Sequence, residues 1–364
     1  MSKMAQDYNA INLSQGFPDF DCPDRLRELV AHYLNDRKNQ YPPMAGILPL
    51  RQRIAEKITA LYGYPADPET EVTVTSGATE ALFDAIQATV GNGDEVIVFD
   101  PAYDSYEPGI KLAGGIAIHI PLSLPDYHID WDRVRAAITP RTRLIIINTP
   151  HNPCGCILTQ NDLDTLAALI RDTSILVLSD EVYEHMVYDN RTHLSVLSHD
   201  ELKSRSFAVF SFGKTYHATG WKLAYCVAIP ELTVEFRKVH QFVTFTTSSF
   251  VQYALADFMQ ECPQHALELP AFYQAKRDQF CELIKPSRFS FTPSQGTYFQ
   301  LVDYSAISDL DDMAFVKLLT QEKGVAAIPL TPFYAQAPNT RIIRFCFCKD
   351  TATLENASSI LCAL

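Results

Sequence analysis

Short apolar runs alternate with segments of helical periodicity between residues 71 and 229 of this chain. The helical segments, for example residues 79–90 and 160–171, place their apolar side chains on one face. The apolar runs are predicted to be strands at residues 72–75, 95–99, 116–120, 144–148, 175–179, 207–211 and 224–228. Such alternation is typical of βαβ units. The sequence therefore predicts an α/β fold with a seven-stranded, mostly parallel sheet covered by helices on both faces.

The pattern changes after about residue 230, where long helical stretches precede a second group of strand-like runs. We predict strands at residues 289–302, 326–328 and 342–348, and helices at residues 311–322 and 351–361, in a smaller α+β domain. A length of 364 residues also favours two domains. The predicted division is an N-terminal segment at 1–25 that packs with the small domain, a large domain at 26–262 and a small domain at 263–364.

The charge balance narrows the range of partners. The chain has 30 Lys and Arg against 43 Asp and Glu, a formal net charge of -13. A nucleic-acid backbone or an anionic membrane would be repelled by the chain as a whole, so neither is expected as a partner. A local basic pocket for a small anion remains compatible with this balance.

Neither a membrane segment nor a metal motif is visible in the sequence. The longest apolar stretches are too short to span a bilayer, and residues 1–20 lack the apolar segment of a signal peptide, so we expect a cytoplasmic location. The nine cysteines form only two close pairs, Cys154/Cys156 and Cys346/Cys348, each with one intervening residue. Zinc motifs usually have two, so we interpret most of these thiols as small apolar side chains and expect no metal.

Polar side chains follow four of the predicted strands directly. Open parallel sheets bind their ligands at these carboxyl ends of the strands. After the first strand, residues 75–80 form a small-residue turn that runs into a helix, and the free N–H groups of such a turn suit a phosphate. Helix capping by Ser76 or Thr79, with Glu80 in the first turn, explains the same residues equally well.

The other three strand ends carry an amide, a carboxylate and a lysine. Asn152 lies in the polar loop at residues 148–153, which can also be an ordinary Asn-Pro turn. Asp180 ends an apolar strand, where it can also be a helix cap. Lys214 follows Ser211 after the next strand, and a lone lysine there is usually solvated. Four unrelated turns would rarely supply these groups in this order, so we interpret them together.

In this order the motifs resemble those of the class I and II aminotransferases, which are fold type I enzymes that depend on pyridoxal phosphate. The matching residues are Gly77-Ala78-Thr79, Asn152-Pro153, Asp180-Glu181-Val182-Tyr183 and Ser211-x-x-Lys214 followed by Lys222. The resemblance extends from residues 12–19 to residues 343–347. It is greatest to the branch of bacterial methionine aminotransferases and kynurenine aminotransferases, also called glutamine transaminase K.

The resemblance implies a role for each residue around the cofactor ring. Lys214 would carry pyridoxal phosphate as a Schiff base and then move the proton of the substrate's α carbon. Asp180 would face the pyridine nitrogen and favour its protonated form. Asn152 and Tyr183 would bond the ring oxygen, and Tyr103 would stack on the ring. The alternative for Tyr103 is an ordinary core tyrosine.

Other residues would hold the phosphate. The resemblance assigns this task to the amides of Gly77, Ala78 and Thr79, to the hydroxyls of Thr79 and Ser211, and to the ammonium of Lys222. Tyr41 resembles the tyrosine that reaches the phosphate of the neighbouring subunit. That implies a homodimer with its active sites at the interface.

The substrate would be an amino acid bound through its carboxylate. Arg344 is the expected clamp for that carboxylate, together with Asn152 and the backbone of Gly16. A charge at the surface of an edge strand is the alternative for Arg344. Phe17, Phe20 and Tyr103, with Phe245 from the partner subunit, would form an apolar pocket for a large uncharged side chain.

The implied reaction is transamination between such an amino acid, methionine or an aromatic one, and a 2-oxo acid. It would follow ping-pong kinetics through pyridoxamine phosphate. Thr246 stands where relatives that act on kynurenine tend to have His, and His217 replaces the Ser that is common in the family's stretch from Lys214 to Gly220; both favour the methionine branch. The N-terminal arm is expected to be short. Kynurenine or glutamine transamination, a cysteine-conjugate β-lyase and a sensor protein of the same fold remain alternatives. A dinucleotide enzyme is disfavoured because no Gly-x-Gly-x-x-Gly follows a predicted strand.

Overall fold

The computed structural model describes all residues, 1–364, and contains twelve strands. They are β1 (Ile11–Asn12), β2 (Val72–Thr75), β3 (Glu95–Asp100), β4 (Ile116–Pro121), β5 (Thr142–Asn148), β6 (Leu176–Asp180), β7 (Ser206–Ser211), β8 (Ala224–Val227), β9 (Phe299–Asp303), β10 (Val325–Ala326), β11 (Ile328–Pro329) and β12 (Ile342–Cys346).

Thirteen α-helices connect and cover the strands. They are α1 (Ser2–Asp7), α2 (Asp24–Asn35), α3 (Leu48–Tyr62), α4 (Ala78–Thr89), α5 (Tyr106–Leu112), α6 (Trp131–Ala137), α7 (Gln160–Ile170), α8 (Phe212–Thr215), α9 (Pro230–Val243), α10 (Ser249–Glu261), α11 (Gln264–Ile284), α12 (Asp312–Leu318) and α13 (Thr351–Cys362). None of them is long and apolar enough to cross a membrane.

The main sheet has seven strands in the order β2-β8-β7-β6-β5-β3-β4. All neighbouring pairs are parallel except those of β8, which runs antiparallel to both β2 and β7. Because β8 alone is reversed, the carboxyl ends of the other strands lie along one edge. The predicted mostly parallel sheet is confirmed, and each predicted strand of this region overlaps an observed one.

Two apolar clusters cover the two faces of the sheet. Successive side chains of a strand point to opposite faces, so Leu144 and Ile146 of β5 belong to one cluster, and Ile145 and Ile147 belong to the other. Helices pack on both sides, with α4 and α5 on the first face and α3, α7 and α10 on the second. A strand that is buried on both faces reads as a continuous apolar run, as residues 144–147 do.

Smaller sheets lie in the C-terminal part of the chain. Strands β11, β12 and β9 form an antiparallel three-stranded sheet, and β1 pairs in parallel with β10. The N-terminal residues therefore pack against residues near 325. The exact limits proposed for the segment and the two domains remain predictions.

Two of the predicted strands in this part were wrong in extent. Residues 289–302 were expected to be one strand, but the regular strand begins at Phe299, and residues 291–298 are irregular. The backbone of this stretch turns toward the large domain, where Gly296 N donates to the oxygen of Gly155 at 2.8 Å. A Cβ on Gly296 would lie 2.8 Å from the oxygen of Met186, so the chains approach too closely for a side chain there.

The run at residues 326–328 was also expected to be one strand. It is divided between β10 and β11, which belong to different sheets. The remaining predicted strand, 342–348, ends at Cys346, and the helices expected at 79–90, 160–171, 311–322 and 351–361 overlap α4, α7, α12 and α13. Element type was thus predictable, whereas pairing decided the exact bounds.

A core leucine and an exposed leucine provide a test of this packing. Leu144 is fully buried, so we expect Leu144→Ala to lower the free energy of unfolding by ~2–5 kcal/mol through lost transfer energy and an unfilled cavity. Leu112→Ala removes a leucine that is 73% exposed and should change it by less than ~0.5 kcal/mol. Urea denaturation monitored by circular dichroism measures both, and equal effects would contradict the buried position of β5.

Candidate active site

One cavity of about 440 Å³ lies at the edge where the carboxyl ends of the parallel strands meet. Most of the residues singled out in the sequence line its wall: Gly16, Gly77, Ala78, Thr79, Tyr103, Asn152, Asp180, Tyr183, Ser211, Lys214, Lys222 and Arg344. The fold therefore brings together residues that are more than 300 positions apart in the chain. Their individual roles remain predictions.

Lys214 lies in the short helix α8 and extends its amine into the cavity wall. The hydroxyl of Ser211 accepts a hydrogen bond from the backbone N–H of Lys214 at 3.3 Å and so caps this helix. The Nζ atom donates to the Tyr298 hydroxyl at 2.7 Å and to the oxygen of Gly16 at 3.2 Å. Burial lowers the pKa of Lys214 to about 8, so a fraction of the amine is neutral near physiological pH.

Asp180 is the last residue of β6 and is 4% exposed. The Tyr106 hydroxyl donates to its Oδ2 at 2.7 Å, and the N–H of Val182 donates to its Oδ1 at 3.4 Å. Burial raises the pKa of Asp180 to about 6, while the bond from Tyr106 opposes that rise. The carboxylate is thus ionised at neutral pH. The helix-cap alternative does not hold, because a turn and no helix follows β6.

The turn before α4 is shaped to receive an anion. Gly77 has a φ of 90°, and a Cβ there would lie 3.0 Å from Nζ of Lys222, so glycine lets this ammonium rest against the turn. The N–H groups of Ala78 and Thr79 are in the first turn of α4, where they have no partner within the helix. Side-chain capping by Ser76 or Thr79 does not occur, since the cap residue is Gly77. Free N–H groups, the helix dipole and Lys222 together favour a phosphate.

Arg344 lies in the middle strand of the three-stranded sheet and is 6% exposed, so the alternative of a surface charge does not hold. Its Nη1 donates to Oδ1 of Asn152 at 2.6 Å, and its Nη2 donates to the oxygen of Ser14 at 3.2 Å. The guanidinium lies 3.8 Å from the centre of the Phe299 ring. Its buried Nε has no hydrogen-bond partner. A planar donor group with spare capacity therefore faces the cavity.

Four predicted aromatic residues do not line this cavity. Tyr41 is 85% exposed, and its ring contacts that of Phe245 at a centroid distance of 5.6 Å. Phe17 contacts Lys349, whose ammonium lies 4.5 Å from the ring centre. Phe20 packs against His217 and Phe272. Tyr41 and Phe245 were assigned to the neighbouring subunit's site, and that assignment remains a prediction.

Several residues of the site were missed in the sequence. Phe299, Ile328 and Phe333 supply apolar surface to the wall. Behind the wall, Tyr106 bonds Asp180 and Tyr298 bonds Lys214. Tyr106 could have been suspected, because it is three positions after Tyr103 and so lies on the same side of the chain in a helical turn. Tyr298, Ile328 and Phe333 carry no such local signal, since only the packing of the C-terminal sheets directs them toward β6.

Comparisons with known proteins agree with this geometry. A family model described as aminotransferase class I and II matches residues 8–361. Methionine aminotransferase of Escherichia coli (strain K12) is 51% identical over 361 residues, which cover 99% of this chain and 94% of that protein. Kynurenine–oxoglutarate transaminase 1 of Mus musculus is 33% identical over 396 residues, covering 100% and 93%.

A solved structure is also very similar. The crystal structure of YbdL from Escherichia coli, identified with a methionine aminotransferase function, superposes with a TM-score of 0.98 at 51% identity. The match covers 100% of this chain and 95% of that one. The fold of this chain, with its main sheet and its three-stranded C-terminal sheet, is therefore shared with a solved structure.

The contact between Lys214 and Tyr298 yields a test in the cofactor-free protein. The Tyr298 hydroxyl accepts a bond from the ammonium, so Tyr298→Phe should lower the pKa of Lys214 below that of the unmodified protein by about one pH unit. Acylation of Lys214 across a pH series, followed by peptide mass spectrometry, measures this. Tyr273→Phe is the matched control, because the Tyr273 hydroxyl bonds His217 instead. An unchanged or higher pKa in Tyr298→Phe would contradict the assignment.

Proposed function

Because this chain belongs to the class I and II aminotransferase family, we propose that it transfers the amino group of an amino acid with a large uncharged side chain to a 2-oxo acid. Methionine and aromatic amino acids are the proposed donors. The observation that carries this proposal is the convergence of the Lys214 amine, the Asp180 carboxylate and the Arg344 guanidinium on one cavity. The methionine aminotransferase activity named for a protein 51% identical to this one supports the choice of donor.

Pyridoxal phosphate is the proposed cofactor, and the cavity residues fit it. When bound, it supplies an aldehyde that bonds to amines and a ring that withdraws electrons from the carbon beside the amino group. The N–H groups of Ala78 and Thr79, with the ammonium of Lys222, suit its phosphate. The buried carboxylate of Asp180 suits a protonated ring nitrogen, because a buried charge needs a partner.

Other residues would orient the ring. Tyr103 lines the same wall and offers an aromatic face for stacking. Asn152 and Tyr183 line the same cavity and offer polar donors, and we propose that they bond the ring oxygen. Ser211 lines the same cavity, and we propose that its hydroxyl also holds the phosphate. In this arrangement each polar edge of the cofactor would meet an opposite charge or a hydrogen-bond partner.

Lys214 is the proposed catalytic residue. An amine with a pKa of about 8 can accept and release protons near neutral pH, which a permanently protonated group cannot do. We propose that its Nζ takes the proton from the substrate's α carbon and later returns a proton to the product. The Tyr298 hydroxyl and the oxygen of Gly16 would hold the amine in place between these transfers.

Arg344 is the proposed clamp for the substrate's carboxylate. Its guanidinium is fixed by Asn152, by the oxygen of Ser14 and by the ring of Phe299, so its direction is set before substrate binds. A carboxylate binds such a planar group through two parallel hydrogen bonds. The clamp orients the α carbon toward Lys214, which lies in the same wall.

The charged residues of the cavity support a substrate with an uncharged side chain. Its cationic residues are Lys214, Lys222 and Arg344, and each already has a proposed role. No further lysine or arginine of this chain lines the wall, whereas Phe299, Ile328 and Phe333 do. The acidic side chain of a substrate would lose its hydration without gaining a cation, and this desolvation would cost about 3 kcal/mol of binding free energy.

We also propose that the active protein is a homodimer. Tyr41, Phe242 and Phe245 expose 85%, 90% and 36% of their surface and lie in two neighbouring segments. Such a group of exposed aromatic side chains is typical of an interface. A second copy placed there would allow Tyr41 to reach the phosphate of its neighbour, as the resemblance implies. The cytoplasmic location stays a prediction.

Lys214→Ala tests the catalytic assignment. The variant should fold normally but lose transamination by a factor of roughly 10²–10⁴ or more, because no other amine is placed to move the proton. Borohydride reduction of the protein with pyridoxal phosphate, followed by mass spectrometry, should find an adduct at position 214 only in the unmodified protein. Lys285→Ala, at an exposed site on the surface, is the control. Normal activity of Lys214→Ala would refute the assignment.

A panel of amino donors tests the substrate. With one 2-oxo acid held fixed, methionine and aromatic amino acids should exceed aspartate in kcat/KM by about 10-fold or more, since aspartate has no cation for its side chain. Formation of each donor's oxo acid is the measurement. A preference for aspartate would contradict the proposed pocket. Release of pyruvate and ammonia from a cysteine conjugate without any oxo acid would indicate a β-lyase instead.

A further inference from the structure

A buried histidine outside the cavity links two segments that serve it. His240 in α9 has no exposed surface. Its Nδ1 lies 2.7 Å from Oε1 of Glu80, and its Nε2 lies 3.0 Å from the oxygen of Met44. Both partners are hydrogen-bond acceptors, and a neutral imidazole has only one N–H. Both contacts are hydrogen bonds at the same time only when both nitrogens carry protons, so with Glu80 as an acceptor the geometry requires an imidazolium.

The surroundings of His240 supply the compensating charge. Asp84 lies one turn after Glu80 in α4, and its Oδ2 is 3.6 Å from Nδ1. Neither oxygen of Asp84 has a hydrogen-bond partner, although the residue is fully buried. Burial lowers the pKa of His240, but the neighbouring carboxylates of Asp84 and Glu80 outweigh it and raise the pKa to about 9. The Phe236 ring stacks on the imidazole at a centroid distance of 6.4 Å and carries no charge.

Glu80 connects this histidine to the proposed phosphate site. Its second oxygen, Oε2, accepts a hydrogen bond from the backbone N–H of Ser76. Ser76 immediately precedes the turn of Gly77, Ala78 and Thr79 that lines the cavity. The carboxylate of Glu80 therefore joins the imidazolium on one side to the backbone of the phosphate turn on the other.

Met44 connects the histidine to a second segment. It lies in residues 39–47, which also carry the exposed Tyr41. The same segment is held by the Thr246 hydroxyl, which donates to the oxygen of Pro43 at 3.2 Å, and by Gln252, whose Oε1 accepts from the N–H of Ile47 at 2.8 Å. Of the three residues that hold this segment, His240 is the one that also contacts α4, through Glu80. It therefore links residues 39–47 to the phosphate turn.

We propose that His240 is a positioning residue for cofactor phosphate: as an imidazolium it holds the phosphate turn through Glu80 and, through Met44, the segment that carries Tyr41. His240 does not contact the cavity itself, and the inference rests on the proposed binding of pyridoxal phosphate. A neutral ring would release one of the two connections. The turn would then lose its alignment. The contacts with the cofactor's phosphate would weaken, whereas those with its ring would keep their strength.

The test compares a cofactor with and without phosphate. In full-length His240→Gln freed of cofactor, the Kd for pyridoxal phosphate should rise by about 10-fold, equivalent to ~1.4 kcal/mol. The Kd for pyridoxal, which lacks the phosphate, should change by less than about 2-fold in the same variant. Absorbance titration measures both. An unchanged Kd for pyridoxal phosphate, or an equal loss for both compounds, would overturn the inference.

His199→Gln is the matched control. His199 also faces an acid, Asp164, at 3.3 Å. It lies in the loop before β7, however, at the amino end of that strand and so away from the cavity. Both Kd values should stay at those of the unmodified protein. If the unmodified protein itself binds no pyridoxal phosphate, the proposed function fails; if it binds the cofactor and His240→Gln binds it equally, only the role of His240 fails.

A second variant and a second measurement guard against misfolding. Removing His240 leaves the buried carboxylates of Glu80 and Asp84 without a cation. His240→Gln combined with Asp84→Asn removes one of these charges and should restore folding while keeping the selective loss for phosphate. In the unmodified protein, ¹⁵N NMR of labelled histidines at pH 7.5 should find both nitrogens of His240 protonated, with the signal identified by its absence in His240→Gln. A neutral ring, or a stoichiometric metal ion bound to Nδ1, would overturn the inference.

Discussion

Removal of the Lys214 amine from water is the constraint on which the site depends. Burial disfavours the ammonium and lowers the pKa of Lys214 to about 8, which makes the group usable as a base. A buried amine still needs partners, and the Tyr298 hydroxyl and the oxygen of Gly16 provide them at 2.7 and 3.2 Å. Burial has the opposite effect on the pKa of Asp180, which rises to about 6. Burial thus tunes the base at Lys214, while Asp180 keeps its negative charge at neutral pH.

Groups from both ends of the chain complete this cavity. Strand β1 pairs with β10, and Lys349 Nζ donates to the oxygen of Phe17 at 2.7 Å, so the N-terminal residues lie on the C-terminal part of the protein. This contact places Ser14 on Arg344 and Gly16 on Lys214. The groups proposed to bind the carboxylate and to move the proton therefore share one backbone segment. A shift of that segment would disturb both at once, because Ser14 and Gly16 both lie in it.

Local pattern predicted the main sheet because its strands are buried on both faces by nearby helices. The continuous apolar run at residues 144–147 is too short for a typical helix and predicts a strand in a covered sheet, and β5 is one. The pattern failed at residues 289–302, where apolar residues such as Phe291 suggested a strand. There the backbone takes a φ of 62° at Thr297 and bonds across to Met186 at 3.0 Å. A long-range contact overrode the local preference, and apolar periodicity carries no information about such a contact.

The sequence by itself determined the fold class and the polar groups at the strand ends, since Gly77, Asn152, Asp180 and Lys214 each follow a recognisable apolar run. It also indicated Arg344, through a charge inside an apolar strand. Tertiary structure alone decided that Tyr298 and Tyr106 hold Lys214 and Asp180, and that His240 bridges Glu80 and Met44. These contacts join residues 74–196 positions apart. Strand periodicity indicates the face of the sheet on which a side chain lies, because side chains alternate between the two faces. Which residues it contacts on that face is decided only by the tertiary packing.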